Sequence, residues 1–343
     1  MKAVFLIIDY VPHQVLTIKN LISSHNADVL AFHVGRFNDT VPKLNNFQTI
    51  QYNSFKKQDI FNQIIGYKPN IVVVAGWMIP EYIWIAKRLK NELDIPIVSY
   101  SDTQWYGTIR QKINALISPF HVKKAFTHIW VAGIYQFEYA RRLGFKKENI
   151  LFNSLSADTE LFRTIDIEKK KYNYPKNFIY IGRFSEEKGL HNLIDAWEKI
   201  SDKKGWSLTL IGDGHLKDDF VNDNSITIYD YMNQEHLLNE LQKSGCFILP
   251  SIHEPWALVL HEAAVAGLPI ICTNVCGAAP HFVLDNYNGL TVAPKSSEAI
   301  QKAMEKIICL DDNELIKYSS RSREFGKKIN PEISLQSLIN IIS

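Results

Sequence analysis

The sequence has few cysteines and no long apolar segment. Its 343 residues include four cysteines, none in a C-x-x-C pair, which argues against a zinc site or a disulfide framework and favours a reducing cytoplasm. No apolar run reaches the roughly 20 residues that a membrane-spanning helix needs. The start, MKAVFLIIDY, lacks the small-residue cleavage site of a signal peptide and is typical of a buried strand.

The signatures of several enzyme classes are also missing. There is no P-loop and no G-x-S-x-G elbow, and HEAAV at 261–265 is not the zinc-binding H-E-x-x-H. No Asp-x-Asp motif is present to hold a phosphate-bridging cation. The sequence therefore predicts neither a metal ion nor a cofactor, and no nucleic-acid-binding module is recognisable.

What the sequence does contain is an alternation of short apolar runs with helical patterns. The runs are VFLIID, ADVLAFHV, IVVVAGW, IPIVSYS and HIWVAG in the first half, and FIYIGR, SLTLIGD, SITIYD, CFILPS, LPIICT and GLTVAP in the second. Strands that are apolar on both faces and separated by helices are typical of parallel sheets covered on both sides. We predict an α/β protein with two tandem doubly wound, Rossmann-like domains.

Charge and composition place the boundary between these domains near the middle. Residues 1–150 carry a net charge of +8 and the remainder −6, which suggests different partners for the two halves. The polar stretch 153–177 predicts a linker between a first domain, 1–152, and a second, 178–329. We expect the closing helix, about 330–343, to pack back onto the first domain.

Two segments of the second half carry the chemistry. In FIYIGRFSEEKGL a buried strand ends at Gly182, and Arg183 and Lys188 precede a helix that begins near Gly189. Two cations and a helix N-terminus at the end of a parallel strand suit a diphosphate, although solvated surface charges are the simpler alternative. The glycines of IGDGHLKDDF, Gly212 and Gly214, are typical of a tight turn.

The other segment is HEPWALVLHEA, residues 253–263. Pro255 suits the first position of a helix that stops at Gly267, so we expect Glu254 at or beside the N-cap, held ionised by the helix dipole. Glu262 then lies eight residues on, roughly 12 Å along the axis, about the span from hexose to ribose in a nucleotide-diphospho-sugar. The alternative is a capping carboxylate plus a solvated helix residue.

The ordered set G-R-x4-K-G, G-D-G, P-S-x2-E-P-W-x4-H-E-A and A-G-L-P-I resembles retaining glycosyltransferases of the GT-B fold, family 4, over most of residues 150–310. The resemblance implies two Rossmann-like domains facing a cleft. It also implies that Glu254 contacts the hexose and Glu262 the ribose, while Arg183 and Lys188 hold the diphosphate. The resemblance further implies that the donor is bound by Gly182, by Trp256 and by the N–H groups of Ala257, Leu258 and Val259. It also implies that the segment at Tyr231 contacts the base.

Two departures from the family pattern stand out. Many relatives have glycine where this chain has Ala257, and many have a His-Asp pair where this chain has Ser101-Asp102. Asp102 or His13 could serve on the acceptor side instead, and each could equally be structural.

The first half also contains a basic, apolar stretch. Residues 105–126 mix Ile109, Ile113 and Leu116 with several cations, and ARRLGFKK at 140–147 adds four more. This pattern fits a face that meets anionic lipid or a pyrophosphate-linked acceptor. An ordinary amphipathic helix with a solvated basic side is the alternative.

Together these features predict a metal-independent, retaining transfer of a hexose from a nucleotide-diphospho-sugar, with a weak preference for uridine, to a glycan or lipid-linked acceptor. The enzyme would act in the cytoplasm or at the inner face of the membrane. The alternatives are a nucleotide-sugar epimerase of the same fold and a catalytically silent, nucleotide-sugar-binding partner subunit.

Overall fold

The computed structural model describes residues 1–35, 44–52, 56–220 and 225–342. Its internal contacts divide the chain into two units, Met1–Ser156 with Ile329–Ser343 and Ala157–Lys328. Most of the stretch 153–177 therefore packs with the second unit. Both units contain one parallel sheet covered by helices.

The first unit contains seven parallel strands in the order β3-β2-β1-β4-β5-β6-β7. The strands are β1 Lys2–Ile7, β2 Asp28–His33, β3 Phe47–Gln51, β4 Ile71–Ala75, β5 Ile97–Ser101, β6 His128–Val131 and β7 Ile150–Leu151. The helices are α1 Pro12–His25, α2 Lys57–Tyr67, α3 Pro80–Glu92, α4 Ile109–Ile117, α5 Val122–Ala125 and α6 Ile134–Arg142.

Alternation along the strands divides the core of this unit between the two faces of the sheet. Val4 and Leu6 of β1 lie in one apolar cluster with side chains of α2, α3 and α6. Phe5 and Ile7 lie in the other cluster, with side chains of α1. Because successive side chains of a strand point to opposite faces, a strand buried on both sides is apolar throughout.

The second unit contains six parallel strands in the order β10-β9-β8-β11-β12-β13. They are β8 Asn177–Ile181, β9 Ser207–Ile211, β10 Ile226–Tyr229, β11 Cys246–Leu249, β12 Ile270–Thr273 and β13 Gly289–Val292. The helices are α7 Thr159–Phe162, α8 Ile167–Lys170, α9 Leu190–Lys199, α10 Gln234–Gln242, α11 Leu258–Ala266, α12 Ala279–Phe282, α13 Ser297–Ile308 and α14 Asp312–Gly326. Short 3₁₀ helices occur at Ser118–Phe120 and Lys147–Asn149 in the first unit and at Glu186–Lys188 and Lys217–Phe220 in the second.

The last helix, α15 Pro331–Ile339, lies against the first unit. Leu335 and Leu338 belong to the same apolar cluster as Ile18 and Leu21 of α1, and Ser334 Oγ donates to the Asn153 carbonyl at 2.6 Å. The chain therefore returns to its first unit after completing the second.

The predicted pair of doubly wound α/β units is confirmed, and all eleven apolar runs form strands. Across the described residues, every helix is either too short or too polar to span a bilayer. The four cysteines are free thiols, and only Cys309 is exposed.

Candidate active site

The loops that carry the predicted donor residues meet at one edge of the second sheet. Strands β8 and β11 are neighbours, and the strand order reverses between them. In open α/β sheets, ligands bind outside the carboxyl ends of the strands at such a reversal. Residues 182–189 follow β8 and residues 250–257 follow β11, so both loops lie at this position.

The first loop presents two cations in different environments. Arg183 is 75% exposed, and its guanidinium lies 2.9 Å from the Glu187 carboxylate. Lys188 ends the short 3₁₀ helix Glu186–Lys188 and is largely enclosed. Helix α9 begins directly afterwards at Leu190, so its positive N-terminal end also lies at this edge.

The two loops contact each other closely. Gly189 has φ +70°, and a side-chain carbon there would lie 2.2 Å from the Pro250 carbonyl oxygen. The N–H groups of Ile252 and His253 donate to the Glu187 carbonyl at 2.8 and 3.2 Å. A larger residue at position 189 would therefore force the loops apart.

The glycines of the IGDGH segment support the same loop from the other side. Side-chain carbons at Gly212 and Gly214 would lie 1.9 Å from the Gly182 carbonyl oxygen and 2.3 Å from that of Phe184. The Phe184 N–H donates to the Asp213 carbonyl at 2.8 Å. Beyond making a turn, these glycines let the loop after β9 approach the backbone of the Arg183 loop.

An ion pair lies at the centre of the site. Lys188 Nζ is 2.5 Å from Glu254 Oε2, and the two side chains are only 15% and 9% exposed. The Ser251 hydroxyl donates to the same carboxylate oxygen at 3.2 Å. Because both charges are largely removed from water, each depends on the other for its stability.

The predicted start of helix α11 is wrong. The structure places Ala257 at the N-cap with φ 78° and ψ 72°, and the helix begins at Leu258, not at Pro255. Glu254 is held outside the helix by a bridge with Cys276, and its carbonyl accepts from the Gly277 N–H at 3.2 Å. The segment after β12 thus holds residues 254–256 outside the helix, and Glu254 is not the cap.

This correction changes the spacing of the two glutamates. Glu262 is the fifth residue of α11, whereas Glu254 lies outside that helix. The estimate of roughly 12 Å between them, which assumed that both lie on one helix, therefore does not hold. The first N–H groups of α11, at Leu258 and Val259, have no intrahelical acceptor because of helix geometry. They belong to half-buried residues at the same end of the helix as Glu254.

Trp256 is a core residue at this site. It is almost fully buried, and its ring lies 5.3 Å from that of His281 and 6.4 Å from that of Phe282. Its indole nitrogen has no hydrogen-bond partner among the described residues. Trp256 packs the loop against α12 and does not present a broad surface to a ligand.

Glu262 lies within α11 and forms a second polar group with Gln234 of α10. Burial raises the pKa of its carboxyl to about 7; a hydrogen bond from Gln234 opposes this and the charge of Asp158 adds to it. Gln234 Nε2 lies 3.4 Å from the Glu262 carboxylate. Gln234 is the first residue of α10, which directly follows the segment with Tyr231. Tyr231 itself is strongly exposed.

The two acceptor-side candidates lie in the first unit, one after β5 and one in α1. Asp102 follows β5 and is exposed, and its carbonyl accepts from Gln136. His13 lies in the first turn of α1, where its Nε2 is 3.0 Å from the Tyr100 hydroxyl. Burial lowers the pKa of His13 to about 4, so the ring is neutral at pH 7.

Four residues of the site escaped the sequence analysis: Glu187, Gly189 as a close contact, Ser251 and Gln234. Glu187, Gly189 and Gln234 act through partners that are distant in sequence. Ser251 acts on nearby Glu254, and only the P-S dipeptide before the HEPW segment hinted at it. No group of three or more His, Cys, Asp and Glu side chains that could bind a metal occurs in the described part of the chain.

Residues 162–328, nearly the whole second unit, match the family model of "Glycosyl transferases group 1". Glycogen synthase of Mycobacterium tuberculosis is 29% identical over 265 residues, which are 72% of this chain and 61% of that protein. The chain thus spans less than two thirds of that relative. The lipopolysaccharide core biosynthesis glycosyltransferase of Rhizobium meliloti is 29% identical over 181 residues, 50% of this chain and 51% of its own.

A solved structure of the Anabaena protein HepE in complex with UDP superimposes with a TM-score of 0.77 at 14% identity, covering 99% of both chains. A second structure of HepE, which contains UDP-glucose, has a TM-score of 0.74 at 13% identity and again covers 99% of both chains. At such identities the likeness shows the fold alone, which is GT-B.

Proposed function

We propose that the chain transfers a hexose from a nucleotide-diphospho-sugar to a glycan or lipid-linked acceptor with retention of configuration. The match of residues 162–328 to the family model of glycosyl transferases group 1 supports this proposal. The observation that carries the proposal is the meeting of Arg183, Lys188 and Glu254 at the strand-order reversal of the second sheet. Lys188 and Glu254 pair there at 2.5 Å, and Arg183 lies on the same loop as Lys188.

The diphosphate of the donor is assigned to the first loop. Arg183 is exposed and can take two oxygens with its planar fork, while Lys188 supplies a point charge beside the N-terminus of α9. The free N–H groups at the start of α11, from Leu258 and Val259, add donors to the same anion. These groups neutralise the departing diphosphate without a metal ion.

The rest of the donor follows from the two glutamates. Glu254, enclosed with Lys188, would accept from the hexose hydroxyls and stabilise the positive charge that develops on the sugar. Glu262 would accept from the ribose, and its contact with Gln234 links it to the segment at Tyr231, which supports placing the base there. The uridine donor is favoured because the structurally similar HepE was solved with UDP and UDP-glucose.

The acceptor is assigned to the first unit. With no obvious protein nucleophile at the donor site, front-face attack is favoured, with the leaving phosphate taking the hydroxyl proton. Asp102 is the better candidate for orienting that hydroxyl because it is exposed, whereas His13, with a pKa of about 4, is a weak base. A surface polysaccharide or glycoconjugate pathway is favoured by the Rhizobium relative, a lipopolysaccharide core biosynthesis glycosyltransferase.

Incubation with UDP-, GDP- and ADP-sugars, with and without EDTA, tests the proposal. Slow release of free nucleotide that survives EDTA supports a metal-independent transferase, since water can replace the missing acceptor. Isomerisation of the donor would indicate an epimerase instead. Stabilisation of the fold by a nucleotide sugar without any turnover would indicate a binding subunit, and a ligand at about 100 times its Kd stabilises by about 2.7 kcal/mol.

A further inference from the structure

Helix α4 in the first unit packs on the protein through polar side chains and exposes its apolar side, the reverse of an ordinary amphipathic helix. Its fully buried residue is Gln111, whose side chain donates to the Gln104 carbonyl at 2.7 Å and accepts from the Tyr106 N–H at 2.7 Å. Asn114 donates to the Tyr139 hydroxyl at 3.4 Å. The polar side of the helix is therefore the side that packs on the protein.

The apolar side faces outward. Its exposed fractions are 78% for Ile109, 52% for Ile113, 78% for Leu116, 43% for Ile117 and 78% for Phe120 in the following 3₁₀ turn. The four helical positions follow the spacing i, i+4, i+7, i+8, so they share one face. A contiguous apolar face of this kind marks a surface that another body covers.

Positive charge surrounds this face. Arg110 and Lys112 are exposed and flank the apolar positions on either side of the helix, and Lys124 follows on α5. No aspartate or glutamate occurs between Asp102 and Glu138. The Ser118 hydroxyl, directly after α4, donates to the Leu143 carbonyl, directly after α6, at 2.7 Å. Near that contact Arg142 is paired with Glu138 and Lys146 with Glu148, so the cations that flank the apolar face are Arg110, Lys112 and Lys124.

We propose that α4 with the 3₁₀ turn Ser118–Phe120 is an in-plane membrane helix that inserts its five apolar side chains into a bilayer containing anionic lipid. A helix lying in the headgroup region needs such an apolar face with cations at its flanks. Charge complementarity selects an anionic bilayer over an apolar protein partner. The inference specifies the surface behind the proposed membrane location and does not depend on the proposed transfer reaction.

Flotation of the full chain with phosphatidylcholine vesicles, with and without phosphatidylglycerol, tests the proposal. The wild type should float with the anionic vesicles at low salt and be released as salt rises. Arg110→Gln with Lys112→Gln should weaken this binding roughly 30-fold, because each cation near an anionic surface contributes about 1 kcal/mol. Lys19→Gln, which removes an exposed cation from α1 of the same unit, should change it little.

The apolar contribution is tested by the triple variant Ile109→Ser, Leu116→Ser, Phe120→Ser. We expect at least a tenfold loss of vesicle binding with no loss of stability, since these side chains are mostly exposed. Tyr172→Ser, at a 93% exposed residue of the second unit, is the matched control. Nucleotide release from the donor should be unchanged in the triple variant, so a failure here is separable from a failure of the proposed chemistry.

Two results would overturn the inference. One is vesicle binding by the triple variant equal to that of the wild type, which would leave a purely electrostatic contact. The other is a wild type that ignores anionic vesicles but dimerises in sedimentation, with a monomeric triple variant, which would make the apolar face a contact between two copies of the chain.

Discussion

Replacing Glu254 by glutamine tests the ion pair at the centre of the site. Lys188 Nζ lies 2.5 Å from the Glu254 carboxylate, within a largely enclosed environment. A nucleoside diphosphate that binds Lys188 must share it with this carboxylate, whose negative charge also repels the phosphates. We therefore expect Glu254→Gln to bind UDP more tightly than the wild type while donor turnover falls.

The size of the effect follows from the separation of the charges. Two unit charges 4 Å apart near a protein surface interact by about 4 kcal/mol before rearrangement and solvent screening reduce the net value. A remaining gain of about 1–2 kcal/mol corresponds to a Kd for UDP about 5- to 30-fold lower. Turnover should fall on the order of 10²-fold, since the carboxylate facing the developing sugar cation is lost.

Glu254→Gln should also lower the stability of the unliganded protein, and bound UDP should restore that stability. Glutamine leaves Lys188 enclosed without its counter-charge, which costs up to about 3 kcal/mol in the unliganded protein. The variant should therefore unfold at a lower temperature and gain more from UDP than the wild type does. Thermal unfolding with and without UDP measures this gain, and isothermal titration calorimetry measures the affinity.

The control is Glu314→Gln, which breaks the exposed Lys317–Glu314 pair at 2.5 Å. Exposed pairs contribute about 0–1 kcal/mol, so UDP affinity, turnover and stability should stay near the wild-type values. A Glu254→Gln variant that binds UDP no tighter than the wild type would refute the competition for Lys188. Unchanged turnover would remove Glu254 from the hexose contact.

Three further changes have definite expected outcomes. Arg183→Ala should weaken UDP-sugar binding in calorimetry by about 1.5–3 kcal/mol, the usual value for a hydrogen bond to a charged group; an unchanged Kd would argue against a diphosphate contact. Ala257→Gly should raise the free energy of unfolding by about 1 kcal/mol in denaturant melts, since Ala257 has φ 78° and a left-handed conformation is costly for any residue but glycine. Because the pKa of Glu262 is raised to about 7, the unliganded fold should lose stability as pH rises from about 4.5 through 7, and UDP-sugar affinity should increase over the upper part of that range as the carboxylate ionises. Glu262→Gln should abolish both trends, and their persistence in that variant would assign them to another group.

The sequence predicted eleven of the thirteen strands and missed β3 and β7. Strand β3 is half-buried at the edge of its sheet and mixes Phe, Gln, Thr and Ile, while β7 has only two residues. Neither has the continuous apolar run by which the other strands were found. Edge strands need less apolar sequence because one of their sides has no neighbour.

The start of α11 shows where local sequence rules fail. Pro255 fits the first position of a helix, but contacts between residues 254–256 and the segment after β12 hold these residues outside the helix, which begins only after Ala257. That competition involves residues more than 20 positions away, so no rule based on neighbouring residues could detect it. From the sequence alone, removal of the Glu254 charge would be expected to leave the affinity for a bare nucleotide unchanged. The ion pair with Lys188, 66 positions away, reverses that expectation.

The two sheets also show why the donor is assigned to the second unit. Both have the same relative strand order around their point of reversal, at β1 and β4 in the first and β8 and β11 in the second. The loops after β1 and β4, residues 8–11 and 76–79, contain no lysine or arginine and one aspartate. An anionic diphosphate would find no counter-charge there, whereas the loop after β8 offers two cations. Since the folds are alike, the side chains of these loops, and not the topology, decide which unit can bind the nucleotide.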